Sequence, residues 1–354
     1  MAVFKKILYV SWTSRNERPY EDPSVRYRCF NFAGELVKRG HTAQVISQLA
    51  FERNYENLGN YDAYIFHRPY LTESFVEILL ELKAKGKLVN ADFDDFIFDV
   101  KYAELTPMVR VRGADVNGVK AYISRTFEAA NLINSFILST VPLKNHVEEM
   151  FPGSTAKVLS NAVDRGFIGV SRIARNLNPY NLRDFEFGYF SGTATHDKDF
   201  ELIAPAVRER IKFSGGKILI LGPLKIPDIF EDIANNVVAH PIVPFHELPN
   251  YMAKCKTVLA PLEDTIFTRS KSGLKFFEAA LAGCRVIATP IPDIARFESS
   301  LLTCCNSLDD WHLAINSPES IGFEKYESEI RRIEEEVSIS SQVNKFMHYC
   351  FGEV

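Results

Sequence analysis

The stretch TRSKSGLKFFEAALAGCRVIATP, Thr268–Pro290, decides how this chain is read. It reads as one helix running into a buried strand. Within that helix Glu278 stands between Phe276, Phe277 and Ala279, Ala280, Leu281. A carboxylate on an apolar surface cannot be desolvated alone; it needs donors. At helical spacing it lies two turns after Ser270 and Lys271 and shares their face. Arg269, Ser270, Lys271 and Ser272 bunch near the helix start, where cations oppose the macrodipole. A diphosphate held by backbone N–H groups, Ser270, Ser272 and the basic side chains would account for them. Otherwise Arg269 and Lys271 point into water or pair with Glu263 and Asp264. A ribose diol would offer Glu278 two donors. Otherwise Glu278 pairs with Lys275 or Arg285 for structural reasons.

Outward from this stretch, strand-like and helix-like segments alternate along the chain. The first half offers KKILYVSW, HTAQVIS, YDAYIFHRP, KLVNADF, NLINSFILST and AKVLSNAV as strands. Helices between them carry end signals: Thr72 as an N-cap, Gly40 and Gly86 after the last turn. The second half repeats the pattern with EFGYFSG, KILILGP, VVAHPIVPF, TVLAPL and RVIATP. Strands alternating with helices imply crossovers and parallel sheets, here two Rossmann-like domains joined near Asn161–Gly169. The expected division is 1–165 and 166–330, with a C-terminal helix, 331–354, joining the first domain. The charged end of the chain is either a solvated surface element or docks back across the domain joint through Ile330, Ile333, Val337, Val343 and Phe346.

A chain of 354 residues with net charge −4 suits two domains and argues against bulk nucleic-acid binding. The six cysteines form no CxxC pair and have no His at metal-ligand spacing, so a reduced, cytoplasmic protein is expected. MAVFKKILYVSW has strand character and no following cleavage site, unlike a signal peptide. No apolar run is long enough to span a bilayer, so any membrane role is expected to be peripheral.

In open parallel sheets ligands bind beyond the carboxyl ends of the strands. EFGYFSG leads there into TATHDKDF, where Ser191, Gly192, Thr193 and Thr195 precede His196 and Lys198. Small residues let amides approach an anion, hydroxyls donate to it and Lys198 adds full charge. The alternative is an ordinary turn capped by Thr195 or Asp197. Gly222 ends the next strand.

These segments resemble the GT-B glycosyltransferases, specifically the large retaining family 4. KSGLKFFEAALAGCRVIATPI is similar to the family's nucleotide-binding helix, whose Glu contacts the donor ribose. VPFHELPNYMAKCKTVLAPL, beginning at Val243, resembles the segment that passes the base. EFGYFSGTATHDKDF resembles the strand and loop that hold the donor phosphates. DPSVRYRCFNFAGELVKRGH and STVPLKNHVEEMF…VLSNAVD resemble parts of the acceptor domain. The resemblance implies an α/β fold of two Rossmann-like parallel-sheet domains facing across a cleft. It implies a sugar transferred from a nucleotide-diphosphate sugar to a hydroxyl of a glycan or lipid-linked acceptor, with retention, in the synthesis of a surface polysaccharide. The GT-B site uses a positive diphosphate site in place of a metal, so no metal and no cofactor are expected. Peripheral contact with the inner face of the cytoplasmic membrane would suit a lipid-linked acceptor. There is one departure: the family motif is Glu, seven residues, Glu, and its first position here is Ser270.

On this reading Ser191, Gly192, Thr193, Lys198, Gly222, Val243, Ser270, Lys271, Ser272 and Glu278 bind the nucleotide sugar, and Lys198 and Lys271 stabilise the leaving diphosphate. The acidic segment NADFDDFIFD lies at a strand end of the first half. Asp94 would bind acceptor hydroxyls, and Asp92 or Asp95 would serve as general base. A solvated loop capped by Asp95 is the alternative, and a metal site a third. Arg26, Arg28, His67 and Arg68 would meet the acceptor or remain structural. Two other readings stand beside this one: a GT-B sugar-nucleotide epimerase, and a non-catalytic sugar-nucleotide-binding subunit. A dehydrogenase is disfavoured, since the first strand runs into SWTSRNERPYEDPS with no GxGxxG.

Overall fold

The computed structural model describes residues 4–192, 197–317 and 323–352. It separates into two compact units, one of Met1–Asp164, Ser270–Ser272 and Val337–Val354, the other of Arg165–Arg269 and Gly273–Glu336. Each is built on a six-stranded sheet.

The first unit holds β1 (Lys6–Ser11), β2 (Thr42–Ser47), β3 (Ala63–His67), β4 (Leu88–Phe93), β5 (Ser135–Leu138) and β6 (Thr155–Val158), ordered β2-β1-β3-β4-β5-β6. All pairs are parallel. β3 is buried along its whole length, as expected of a parallel strand covered on both faces. The helices between strands start where short polar side chains take up free amides. Thr72 accepts from Phe75 N, Asp115 from Gly118 N and Thr140 from Leu143 N. The sheet order reverses between β1 and β3, so the carboxyl ends of those strands form a switch point.

The second unit holds β7 (Phe185–Phe190), β8 (Ile218–Leu221), β9 (Val237–His240), β10 (Cys255–Ala260), β11 (Arg285–Ala288) and β12 (Leu302–Cys304), again parallel throughout. Its order is β12-β11-β10-β7-β8-β9, which is the Rossmann arrangement with the switch point between β7 and β10. β12 has no counterpart in the sequence reading. It is only three residues long and none is buried.

The C-terminal segment is two helices, Phe323–Val337 and Ile339–Phe351, broken at Ser338. Ser338 caps the second helix by accepting from Ser340 N. Val163 N donates to Val337 O, and Ile339 N donates to Val163 O. Val343, Phe346 and Met347 then pack with Ile7, Tyr9, Phe32 and Leu36 in the core of the first unit. Ile330 and Ile333, on the helix before the break, are also buried. The solvated-surface alternative therefore does not hold.

Candidate functional site

Several of the polar side chains singled out above lie at or beside the carboxyl ends of strands. In the second unit, Ser191 follows β7 and is buried. Its amide donates to Leu221 O at 2.9 Å, and its carbonyl lies where a Cβ on Gly222 would stand, 1.9 Å away. Gly222 has φ +110°, so glycine is required there twice over. Gly192 is exposed, and Thr193 lies outside the described residues, as do Thr195 and His196. Asp197 accepts from Lys225 N, and Asp199 is buried with its carboxylate on Glu263 N at 2.7 Å. That bond ties the helix after β7, Asp197–Glu201, to the loop after β10, which gives the switch point a fixed floor. Val243 lies half-buried in the loop that follows the edge strand β9.

The deciding stretch differs from its reading in one respect. The helix is Leu274–Leu281 with Gly273 as N-cap, preceded by a separate short helix, Ile266–Arg269. Ser270, Lys271 and Ser272 lie outside both helices and group with the first unit, so they do not share a helical face with Glu278. The physical reason is local competition for the backbone. Ser270 O accepts from Thr140 Oγ1 at 2.9 Å, and Ser272 Oγ accepts from Asn161 Nδ2 at 2.9 Å. Gly273 N, by contrast, donates to Asp293 Oδ2 at 2.7 Å. A side chain at Gly273 would press on Asp293 O and the Phe297 ring, both at 3.1 Å, so the chain turns sharply there. The N-cap amide thus already has a carboxylate, itself paired with Arg296 at 2.7 Å.

Glu278 is buried, with 8 % of its surface exposed, on the same helix as Lys275. The Lys275 ammonium lies 5.1 Å above the Tyr189 ring. Tyr189 is the penultimate residue of β7, so the helix brings this lysine to the switch point. The sequence reading considered Lys275 only as a partner for Glu278. The helix C-terminus is held by cations. Arg175 donates to Leu281 O at 3.1 Å, and Arg183 donates to Gly283 O at 2.7 Å and Ala282 O at 3.2 Å. Arg269 forks onto Asp264 at 2.5 and 2.6 Å, which settles its partner. Lys198 is exposed and Lys271 half-buried, and neither forms an ion pair among the described residues.

In the first unit the strand register places His67 directly beside Asp92 and Ser11 beside His67. Asp92 is buried and takes Arg28 Nε at 2.9 Å and Arg28 Nη2 at 2.6 Å. Arg28 completes its donors on Leu159 O and Asn161 Oδ1. Burial alone would raise the Asp92 carboxyl, but the Arg28 charge and hydrogen bonds and the His67 contact outweigh it and lower it. Asp92 is therefore occupied inside the unit, and so is Arg28. Arg26 is buried beside Tyr20, donating to its carbonyl at 3.1 Å.

Closer to solvent, Arg68 donates to Asp94 at 2.8 Å and to Asp95 at 3.1 Å. Arg68 has φ 51°, a left-handed backbone rare outside glycine, fixed by its amide on Asp92 O at 2.9 Å. Burial would raise the Asp94 carboxyl. The charges of Arg68 and His67 and a hydrogen bond from Ser24 hold it well below the usual carboxylate range instead. Ser24 sits between His67 Nε2 at 2.8 Å and Asp94 Oδ2 at 2.5 Å. Asp22 fixes Ser24 through its amide at 3.0 Å and takes the Thr13 hydroxyl at 2.7 Å. Ser24, Asp22 and Thr13 carry no signal in the sequence; only the sheet topology brings them to His67. The acidic run is thus laced with arginine, and among the described residues no group of three or more His, Cys, Asp or Glu side chains is placed to hold a metal.

No family model and no curated protein matches the sequence. Solved structures do. HepE of Anabaena, in complex with UDP, is 14 % identical with TM-score 0.57, covering 98 % of this chain and 100 % of that one. Sucrose-phosphate synthase of Thermosynechococcus elongatus is 10 % identical with TM-score 0.63, covering 98 % of each chain. A UDP-forming α,α-trehalose-phosphate synthase of Burkholderia xenovorans, in complex with glucose-6-phosphate, is 10 % identical with TM-score 0.60, covering 98 % and 99 %. At such identities the likeness is one of fold. The chain has the GT-B type of α/β fold, with two Rossmann-like parallel sheets.

Proposed function

We propose that this chain is a glycosyltransferase that moves a sugar from a nucleotide-diphosphate sugar to an acceptor hydroxyl. The observation that carries the reading is the helix Leu274–Leu281. It brings Lys275 to the switch point of a Rossmann sheet and buries Glu278 one turn further on. A carboxylate at that place suits the two hydroxyls of a ribose. Lys198 and Lys271, with Lys275, suit the negative charge that grows on the diphosphate as the glycosidic bond breaks. The structures the chain is similar to include one with UDP bound and one named as UDP-forming, which favours the same donor class.

The acceptor hydroxyl belongs at the first unit's switch point, where Asp94, Asp95 and Arg68 reach the surface. Asp94, held ionised, accepts a hydrogen bond from the hydroxyl and orients it. Asp95, with one arginine contact, is the better-placed base. With Asp92 enclosed by Arg28 and His67, its part is to fix His67. Retention of configuration, a glycan or lipid-linked acceptor and a place in polysaccharide synthesis remain parts of this proposal. Retention needs no protein nucleophile if the departing phosphate oxygen takes the acceptor proton.

Titration calorimetry with a panel of nucleoside diphosphates tests the donor half. Glu278→Ala and Lys271→Ala should each weaken the preferred nucleotide at least about tenfold, since a charged hydrogen bond contributes about 1.5–3 kcal/mol. Unchanged affinity in both variants would remove the core of the reading. Tight binding without turnover of any nucleotide sugar would favour a non-catalytic binding subunit, which Ser270 in place of an acidic residue also suits. Product analysis without acceptor separates transfer from epimerisation.

A further inference from the structure

The chain Asp92–His67–Ser24–Asp94 contains one hydrogen too few for its ordinary protonation states. Asp92 is ionised by its fork to Arg28, so His67 Nδ1, 3.1 Å from Asp92 Oδ1, must carry a proton. In a neutral ring Nε2 is then bare and takes the single Ser24 hydrogen at 2.8 Å. The Ser24 oxygen would be left facing the Asp94 carboxylate at 2.5 Å with no hydrogen between them. Two lone pairs repel at that distance. If Nε2 also carries a proton, every contact is satisfied: Nδ1 donates to Asp92, Nε2 to Ser24, and Ser24 to Asp94.

We propose that the Ser24 hydroxyl is a two-position donor set by the His67 proton, and that it controls whether Asp94 is open to an acceptor hydroxyl. With both ring nitrogens protonated, Ser24 donates to Asp94 Oδ2 and closes that oxygen. With Nε2 bare, Ser24 turns to His67 and releases it. Asp94 Oδ1 stays on Arg68 in both states. The proposal rests on the acceptor-site reading above for its consequence, but not for its geometry.

The groups that face His67 are few. Arg28 comes from the segment Arg26–Phe30, Asp22 and Ser24 from the turn before it, and Asp92 and Asp94 from β4 and its end. Arg68 directly follows His67 at the end of β3 and pairs with Asp95, which follows β4. Tyr9 and Cys29, which also sense the Asp92 charge, are raised chiefly by burial and stay neutral. The Arg28–Asp92 pair is internally compensated, so the balance at Ser24 lies between His67 and Asp94.

Ring 15N spectra of the full chain, recorded from about pH 5 to about pH 9, test this directly. The expected result is a slowly exchanging Nε2 proton at the acid end and Nδ1 alone protonated at the alkaline end. Ser24→Ala should make the Nε2 proton exchange rapidly while leaving the Asp94 charge in place. A bare Nε2 at every pH overturns the proposal, and so does Nε2 exchange that is the same in wild type and Ser24→Ala. In turnover, acceptor KM should fall as pH rises in wild type and stay flat in Ser24→Ala, with nucleotide affinity unchanged in both. Failure to transfer from any donor would sink the glycosyltransferase reading yet leave the ring spectra decisive for Ser24.

Discussion

The two switch points treat charge in opposite ways. In the first unit three carboxylates of the acidic segment meet an arginine: Asp92 with Arg28, Asp94 and Asp95 with Arg68. In the second, Arg269 is paired at the surface with Asp264, while the exposed Lys198 has no ion pair among the described residues. A site with its charges already matched is rigid and presents hydrogen-bonding geometry. A site with unmatched cations is incomplete until an anion arrives. On the proposed reading, a neutral hydroxyl suits the first and a phosphate the second.

Substitutions can break this contrast in graded steps. Asp92→Ala strands Arg28, a fully buried guanidinium, without its counter-charge, and should destabilise the chain by about 3–5 kcal/mol in urea unfolding. Gly222→Ala forces a Cβ onto the Ser191 carbonyl at a left-handed backbone position. It should lower stability by about 2–3 kcal/mol, read as a fall in Tm. The tenfold losses foreseen for Lys271→Ala and Glu278→Ala come next, and they should appear in nucleotide affinity.

Acid sharpens the contrast without a mutation. Asp92 and Asp94 both have folded pKa values lowered from the unfolded ones. Their contribution is therefore complete well above the unfolded value of about 3.9, and it is lost as pH falls below that toward the folded values. Circular dichroism melts should show the Tm dropping steeply below about pH 4. Asp92→Asn should flatten that drop. Arg269→Ala is the smallest case. Its guanidinium and its partner are both well exposed, so neither nucleotide affinity nor Tm should move measurably.

The sheets were legible because parallel strands buried on both faces are nearly continuous apolar runs, as in AYIFH and KILYVS. β12, with its three incompletely buried residues, offers no such run. The start of the helix Leu274–Leu281 was misplaced because nothing local in TRSKSG breaks a helix before Gly273. The break is made by Thr140, Asn161 and Asp293, all distant in sequence. Glu278 stood out because it is out of character with its apolar neighbours, and Lys198 and Lys271 because they stand among small polar residues between a strand and a helix. Ser24, Asp199 and Arg183 did not, since a lone polar residue in a loop acquires meaning only from what the topology sets beside it. The pairing of Asp92 with Arg28 was hidden in the same way, 64 residues apart.

The late helix Ile339–Phe351 has a consequence for biogenesis. The core of the first unit, with Ile7 and Tyr9 of β1 and Phe32 of the helix Asn31–Lys38, stays open on one side until residues 339–351 emerge. The second unit, whose own segments end earlier, can consolidate in the meantime. The first-synthesised half should accordingly be the last to become protease-resistant, and the more dependent on chaperones while it waits.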